Sequence, residues 1–95
     1  MKEYYKNMTF DDLGKALSKF RLVLCWDVNK DMISVGKREF SNPLLWFDPR
    51  TEEKDYTGSV TVKSINVGLY SSEEVYVALN LVNSFLLTDL AQRNI

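Results

Sequence analysis

From Val75 to Thr88 the chain carries no charged residue. Just ahead of this stretch, Ser71 and Glu74 stand at the spacing of a capping box, and Glu73 and Glu74 fall in a first helical turn. The spacing predicts a helix that starts at Ser72 or Glu73 and runs to about Gln92, with Arg93 near its end. At about 100° per residue, Val75, Ala78, Leu79, Val82, Phe85, Leu86 and Leu90 define its main face. Val77 and Leu81 lie further round one way, Tyr76 and Leu87 further round the other. The polar strip is narrow, essentially Asn80 and Ser84 with Thr88 beside it. An apolar arc this wide has two readings. The helix lies in a groove between other elements of its own chain, or one flank of it meets a second chain.

A second start signal lies near the N-terminus. Thr9 is followed three residues later by Asp12, a shorter version of the capping box, and Met8 and Leu13 are placed as a hydrophobic staple. Phe10, Leu13, Ala16, Leu17 and Phe20 recur at helical spacing. This predicts a helix from about Phe10 to Phe20, with Asp11 and Asp12 at its positive end.

Between the helices the pattern is that of strands. Leu22 to Val28 is rich in strand formers, with Leu22, Leu24 and Trp26 on one face and Val23 and Cys25 on the other. Asn29-Lys30 reads as a turn and Met32 to Val35 as the returning strand. Leu44 to Phe47 is a short apolar run fenced by Pro43 and Pro49, which favours a short or edge strand. Residues 48–58 read as a polar loop. Ser59 to Tyr70 is the longest strand-like stretch, with a bulge, tight turn or hairpin expected near Lys63-Ser64. The expected fold is a single α+β domain over residues 1–95. A small antiparallel sheet of three to five strands is flanked by an N-terminal and a C-terminal helix, in the order α-β-β-β-β-α.

Composition narrows the chemistry. The 95 residues include no histidine and one cysteine, and the formal net charge is -1. That excludes histidine-based triads, an internal disulfide and a thiolate zinc site, and it argues against a strongly basic nucleic-acid binder. Cys25 sits in an apolar run and reads as a buried or half-buried structural thiol. No secretory signal and no run of 18 apolar residues occurs, so the expected location is cytoplasmic and no membrane partner is expected.

No catalytic residues, metal ligands or cofactor sites are assigned, and three functional classes remain. The favoured one is a non-catalytic interaction or accessory protein that forms a homodimer, or binds another protein, through its C-terminal helix. Tyr76, Val77, Asn80, Leu81, Ser84, Leu87 and Thr88 are the interface candidates, with Leu81 expected to be less critical to the monomer core. The second class is a weak single-stranded nucleic-acid module using Trp26, Lys37, Arg38, Trp46 and Lys63, because basic and aromatic residues interleaved on a sheet hold such strands. The third is a carboxylate enzyme with a divalent metal, for which Asp27, Asp31 and Asp48 are the only candidates.

Overall fold

The computed structural model describes residues 8–27, 32–37, 42–52, 63–64 and 67–95. Helix α1 (Phe10–Ser18) is followed by strands β1 (Val23–Trp26), β2 (Ile33–Gly36), β3 (Leu45–Phe47) and β4 (Lys63–Ser64). A 3-10 turn at Val67–Leu69, helix α2 (Ser72–Leu87) and a second 3-10 turn at Leu90–Gln92 complete the order. The chain is thus α+β, with one helix before an antiparallel sheet and one after it. The strands lie in the order β1-β2-β3-β4. Three of them carry the sheet, and β4 adds two residues along β3.

Helix α1 begins where Thr9 and Asp12 close a reciprocal box. The Thr9 hydroxyl accepts from the Asp12 N–H at 3.1 Å, and the Asp12 carboxylate accepts from the Thr9 N–H at 3.1 Å. The Thr9 backbone N–H, then its hydroxyl, hold the Asp12 carboxyl below its usual range. Met8 and Leu13, the staple pair, are both buried. The helix ends at Ser18 rather than Phe20. Arg21 adopts a left-handed conformation with φ of 63°. Its N–H donates to the Ser18 carbonyl at 3.1 Å, and the Leu22 N–H donates to Leu17 at 3.1 Å. Those two bonds are a Schellman closure, made here without glycine.

Strand register sets the two faces of the sheet. Leu24, Val35 and Leu45 lie across from one another, as do Trp26, Ile33 and Phe47. These rows face the helices, and Ile33, Val35, Leu45 and Phe47 are buried in the core. Cys25, Ser34 and Trp46 form the intervening row on the other face, and the Lys63 backbone pairs opposite Trp46. Cys25 is exposed, contrary to the buried or half-buried thiol expected, because β1 is an edge strand and Cys25 points away from the helices. β3 is short, as its flanking prolines predict, but it is interior because β4 pairs along it. Lys63-Ser64 forms that strand instead of a turn, and Val67–Leu69 is helical instead of extended. The Asn29-Lys30 turn and most of the 48–58 loop lie outside the described residues.

Helix α2 contributes Ala78, Leu81, Val82, Phe85 and Leu86 to the core. Phe85 sits centrally, its ring 6.1 Å from both Phe10 and Phe47. The N-terminus of α2 is closed by the expected capping box. The Ser71 hydroxyl accepts from the Glu74 N–H at 3.1 Å, and the Glu74 carboxylate accepts from the Ser71 N–H at 2.9 Å. Lys37, just past β2, reaches Glu74 at 2.7 Å. The Tyr70 hydroxyl ties the same corner, accepting from the Lys37 N–H at 3.3 Å and donating to the Asn42 carbonyl at 2.9 Å. Gly36 makes that approach possible, since a Cβ there would lie 2.8 Å from the Tyr70 hydroxyl and 3.0 Å from the Pro43 Cα.

The other end of α2 departs from the expected course. The helix stops at Leu87 instead of continuing to Gln92, and Thr88 is extended with φ of -72° and ψ of 140°. The Thr88 hydroxyl donates to the Ser84 carbonyl at 3.0 Å and accepts from the Met8 N–H at 3.0 Å. Beyond it the chain folds back, and Arg93 is 1% exposed. Its guanidinium donates to the carbonyls of Leu86, Thr88, Pro49 and Thr51 at 2.8 to 2.9 Å. Its own carbonyl accepts from the Phe10 N–H at 2.7 Å.

Candidate functional site

The face of α2 opposite the core is marked by one side chain. Tyr76 is 69% exposed, the most exposed of the large apolar side chains among the described residues. It stands between two shallow grooves. One, of about 260 Å³, is lined by Phe20, Tyr76, Val77, Asn80 and Leu81. The other, of about 340 Å³, is lined by Tyr70, Ser72, Val75, Tyr76 and Leu79. Leu87 lies further along the helix and is also exposed. The Asn80 amide donates to the Tyr76 carbonyl at 2.8 Å, which holds it against the helix surface between the two apolar residues.

The interface candidates therefore divide. Tyr76, Asn80 and Leu87 are exposed, and Val77 and Ser84 are half-buried. Leu81 is 4% exposed and Thr88 is 5% exposed, so both are turned inward. For Leu81 this corrects the expectation that it is less critical to the core. The cause is α1, which packs against α2 and draws the buried arc round to include Leu81. Thr88 is turned inward by its bonds to Ser84 and Met8. Asn83 was not singled out from the sequence. It is half-buried one helical turn beyond Asn80 and belongs to the same outward strip.

Of the nucleic-acid candidates, Trp26 and Trp46 fall in adjacent rows and so lie on different faces of the sheet. Trp26 is packed, with Phe10 at 6.1 Å and the Arg50 guanidinium at 5.4 Å from its ring. Lys37 is paired with Glu74. Lys63 sits beside Trp46 in the backbone register, and Arg38 lies outside the described residues.

The carboxylate candidates are no closer to forming a site. The Asp48 carboxylate accepts from the Arg50 N–H at 3.0 Å, and the Asp27 N–H closes the β1–β2 connection by donating to Met32 at 3.0 Å. Asp31 lies outside the described residues. Among the described residues, no three carboxylate, cysteine or histidine side chains are grouped to hold a metal ion. No described helix is long and apolar enough to cross a membrane.

Comparison with protein-family models, with curated proteins and with solved structures gives no significant match. The functional reading rests on the chain's own residues.

Proposed function

We propose that this chain is a non-catalytic interaction protein that self-associates through the outward face of α2. The observation that carries the reading is Tyr76: a large aromatic ring, 69% exposed, standing between two apolar grooves on a helix uncharged from Val75 to its end. A single exposed apolar residue needs no explanation. Here the exposed ring adjoins concave apolar surface, and Leu87 extends the apolar strip along the same helix. Aromatic anchors beside apolar pockets are the usual centre of a protein contact. A two-fold axis would let this face serve as both knob and hole, so one surface suffices.

Leu81 is a poor probe of this reading, because it belongs to the core and Leu81→Asp is expected to unfold the chain. Tyr76→Asp is the right one. Its exposure leaves the fold intact, whereas a carboxylate at the centre of an apolar contact weakens association by about two orders of magnitude. Sedimentation equilibrium from about 10 to several hundred micromolar, with circular dichroism as the control on folding, makes the test. The expected result is a dimer for the parent and a folded monomer for Tyr76→Asp. A parent that stays at 11.0 kDa across the range defeats the proposal.

A further inference from the structure

Residues 89–95 are joined to the fold through one residue. Helix α2 is closed before they begin. The Thr88 N–H donates to the Phe85 carbonyl at 3.1 Å, and the Thr88 hydroxyl bonds to both Ser84 and Met8 at 3.0 Å. No residue after Leu86 belongs to the hydrophobic core. From Asp89 to Ile95 only Arg93 is buried. The turn at Leu90–Gln92 makes its own bonds: the Gln92 N–H donates to the Asp89 carbonyl at 2.8 Å, and the Arg93 N–H to the Leu90 carbonyl at 3.2 Å. Among the described residues, the hydrogen bonds from this segment to the rest of the fold all belong to Arg93. Its guanidinium donates four, and its carbonyl accepts one from the Phe10 N–H.

We propose that residues 89–95 form a strap clasped by Arg93 alone, in a socket that recognises an alkylguanidinium group, and that this strap comes away while the rest of the chain stays folded. The inference is independent of self-association through α2. Every partner of the guanidinium is a neutral backbone carbonyl. Thr88 accepts from Nε at 2.9 Å and Leu86 from Nη2 at 2.8 Å, while Pro49 and Thr51 share Nη1 at 2.9 and 2.8 Å. The Phe85 ring lies 5.7 Å from the centre of the group. Four acceptors spread around three nitrogens match a planar fork of five N–H groups. An ammonium, whose three N–H groups leave a single atom, does not reach them all. The grip therefore depends on shape more than on net charge. Two of the carbonyls end α2 and two belong to the 49–51 turn, so whatever fills the socket also ties those two parts together. Opening the clasp breaks the bonds of one residue and leaves the core intact, which sets its cost below that of unfolding the whole chain.

Arg93→Ala, with methylguanidinium chloride as the probe, tests both halves of the proposal. Methylguanidinium carries the same five N–H groups as the arginine side chain. Thermal unfolding is followed by circular dichroism as the probe is raised into the tens of millimolar. The variant is expected to fold, to melt below the parent, and to recover part of the difference in a saturable way. At ten times the Kd its folded-to-unfolded ratio rises about elevenfold. Equal concentrations of methylammonium chloride or sodium chloride should leave the variant unchanged, and the parent, whose socket is filled, should respond to none of the three. An Arg93→Ala chain that does not fold overturns the separable strap. A folded one that ignores methylguanidinium, or responds equally to methylammonium, overturns the socket. The parent alone supplies a second measurement: exchange of the Arg93 Nε–H with solvent, followed by NMR in urea below the unfolding midpoint. A strap that leaves by itself exposes little surface, so this exchange should depend on urea less than half as steeply as that of the slowest β2 amides. Equal slopes would mean that the clasp opens only with the whole fold, and they overturn the strap.

Discussion

At its N-terminus α2 is closed by two residues three positions apart, Ser71 and Glu74, with Lys37 added from the end of β2. At its C-terminus it is closed by Arg93, which reaches back to Leu86 and Thr88 and across the fold to Pro49 and Thr51. The first closure uses short side chains at the surface. The second buries a guanidinium among neutral carbonyls, with the Phe85 ring 5.7 Å away. Both ends face the same difficulty, since a helix leaves its first N–H groups and last carbonyls without partners. A nearby hydroxyl or carboxylate satisfies donors locally. The Leu86 and Thr88 carbonyls at the end of α2 are buried where the guanidinium reaches them, so their donor comes from a side chain long enough to enter.

The largest effect should follow from removing that donor. Arg93 supplies hydrogen bonds to four carbonyls in an almost fully buried site, and each acceptor left bare costs about 1–3 kcal/mol. Burial is the main influence on the guanidinium and pushes its pKa down, opposed by Glu52, Asp48 and Asp89. Arg93→Met keeps much of the side-chain volume and leaves every acceptor unpaired. Urea unfolding should show a loss of at least about 3 kcal/mol, a large share of the roughly 5–15 kcal/mol typical of a domain. Arg93→Lys should lose nearly as much, because an ammonium cannot span four acceptors that a planar guanidinium reaches. A loss below about 1 kcal/mol for Arg93→Met would show that water takes over the carbonyls, and the contrast between the two ends would disappear.

The same contrast explains what could be read from the sequence. Both capping boxes, the staple pair and the parity of Leu22, Leu24 and Trp26 were legible, because each depends on residues a few positions apart. The end of α2 was not. Apolar residues continue past Leu87, and Arg93 read only as a residue near the helix end. Its role depends on Pro49 and Thr51, more than forty positions away in sequence. The candidate site was half legible for the same reason. The charge-free helix face was plain, but its inward boundary depends on where α1 packs, and that brought Leu81 into the core. The separation of Trp26 from Trp46 likewise needed the sheet register, which spacing alone did not supply.

A smaller effect is expected at the N-terminal closure, where Glu74 joins a box and an ion pair at once. Glu74→Gln keeps some of the capping and loses the pair with Lys37, for a cost of about 1 kcal/mol at low salt. The pH dependence has a definite sign. The hydrogen bond from Lys37, then the Ser71 backbone N–H, hold the Glu74 carboxyl below its ordinary value. Its contribution to stability is therefore complete above that ordinary value and is lost as pH falls through the lowered one. Unfolding midpoints measured between about pH 6 and pH 2 should fall less steeply in Glu74→Gln than in the parent. Asp12 is lowered in the same direction by its own cap, so part of the acid slope should remain. Identical slopes would mean that Glu74 does not differ between the folded and unfolded chains.

Removing only the hydroxyl isolates the local closure from the ion pair. Ser71→Ala should cost about 1 kcal/mol, within the usual range for an N-cap, and Thr9→Ala a similar amount at α1. Both should be insensitive to salt, unlike Glu74→Gln, and chemical denaturation at two ionic strengths separates them. If Ser71→Ala approached the loss from Arg93→Met, the N-terminus of α2 would be no less dependent on its closure than the C-terminus.

The smallest effect is a gain, and it concerns a third kind of helix end. The C-terminus of α1 is closed by backbone alone: Arg21 turns left-handed, and its N–H and that of Leu22 take up the Ser18 and Leu17 carbonyls. A left-handed conformation strains an L-residue by about 1–2 kcal/mol, and glycine adopts it freely. Glycine also enlarges the freedom of the unfolded chain, which takes back part of the advantage. Arg21 is exposed, so its side chain leaves no cavity when removed. Arg21→Gly should therefore stabilise the fold by a few tenths of a kcal/mol to about 1 kcal/mol. Arg21→Ala, which removes the same side chain but keeps the Cβ, should give no gain. The difference between these two variants measures the strain at φ of 63° independently of any contact made by the guanidinium. If Arg21→Gly lost stability while Arg21→Ala did not, the αL closure would not be strained, and the side chain at Arg21 would be unnecessary to it. If both lost equally, the arginine would be making a contact of its own, and the end of α1 would resemble the end of α2 more than its backbone bonds imply.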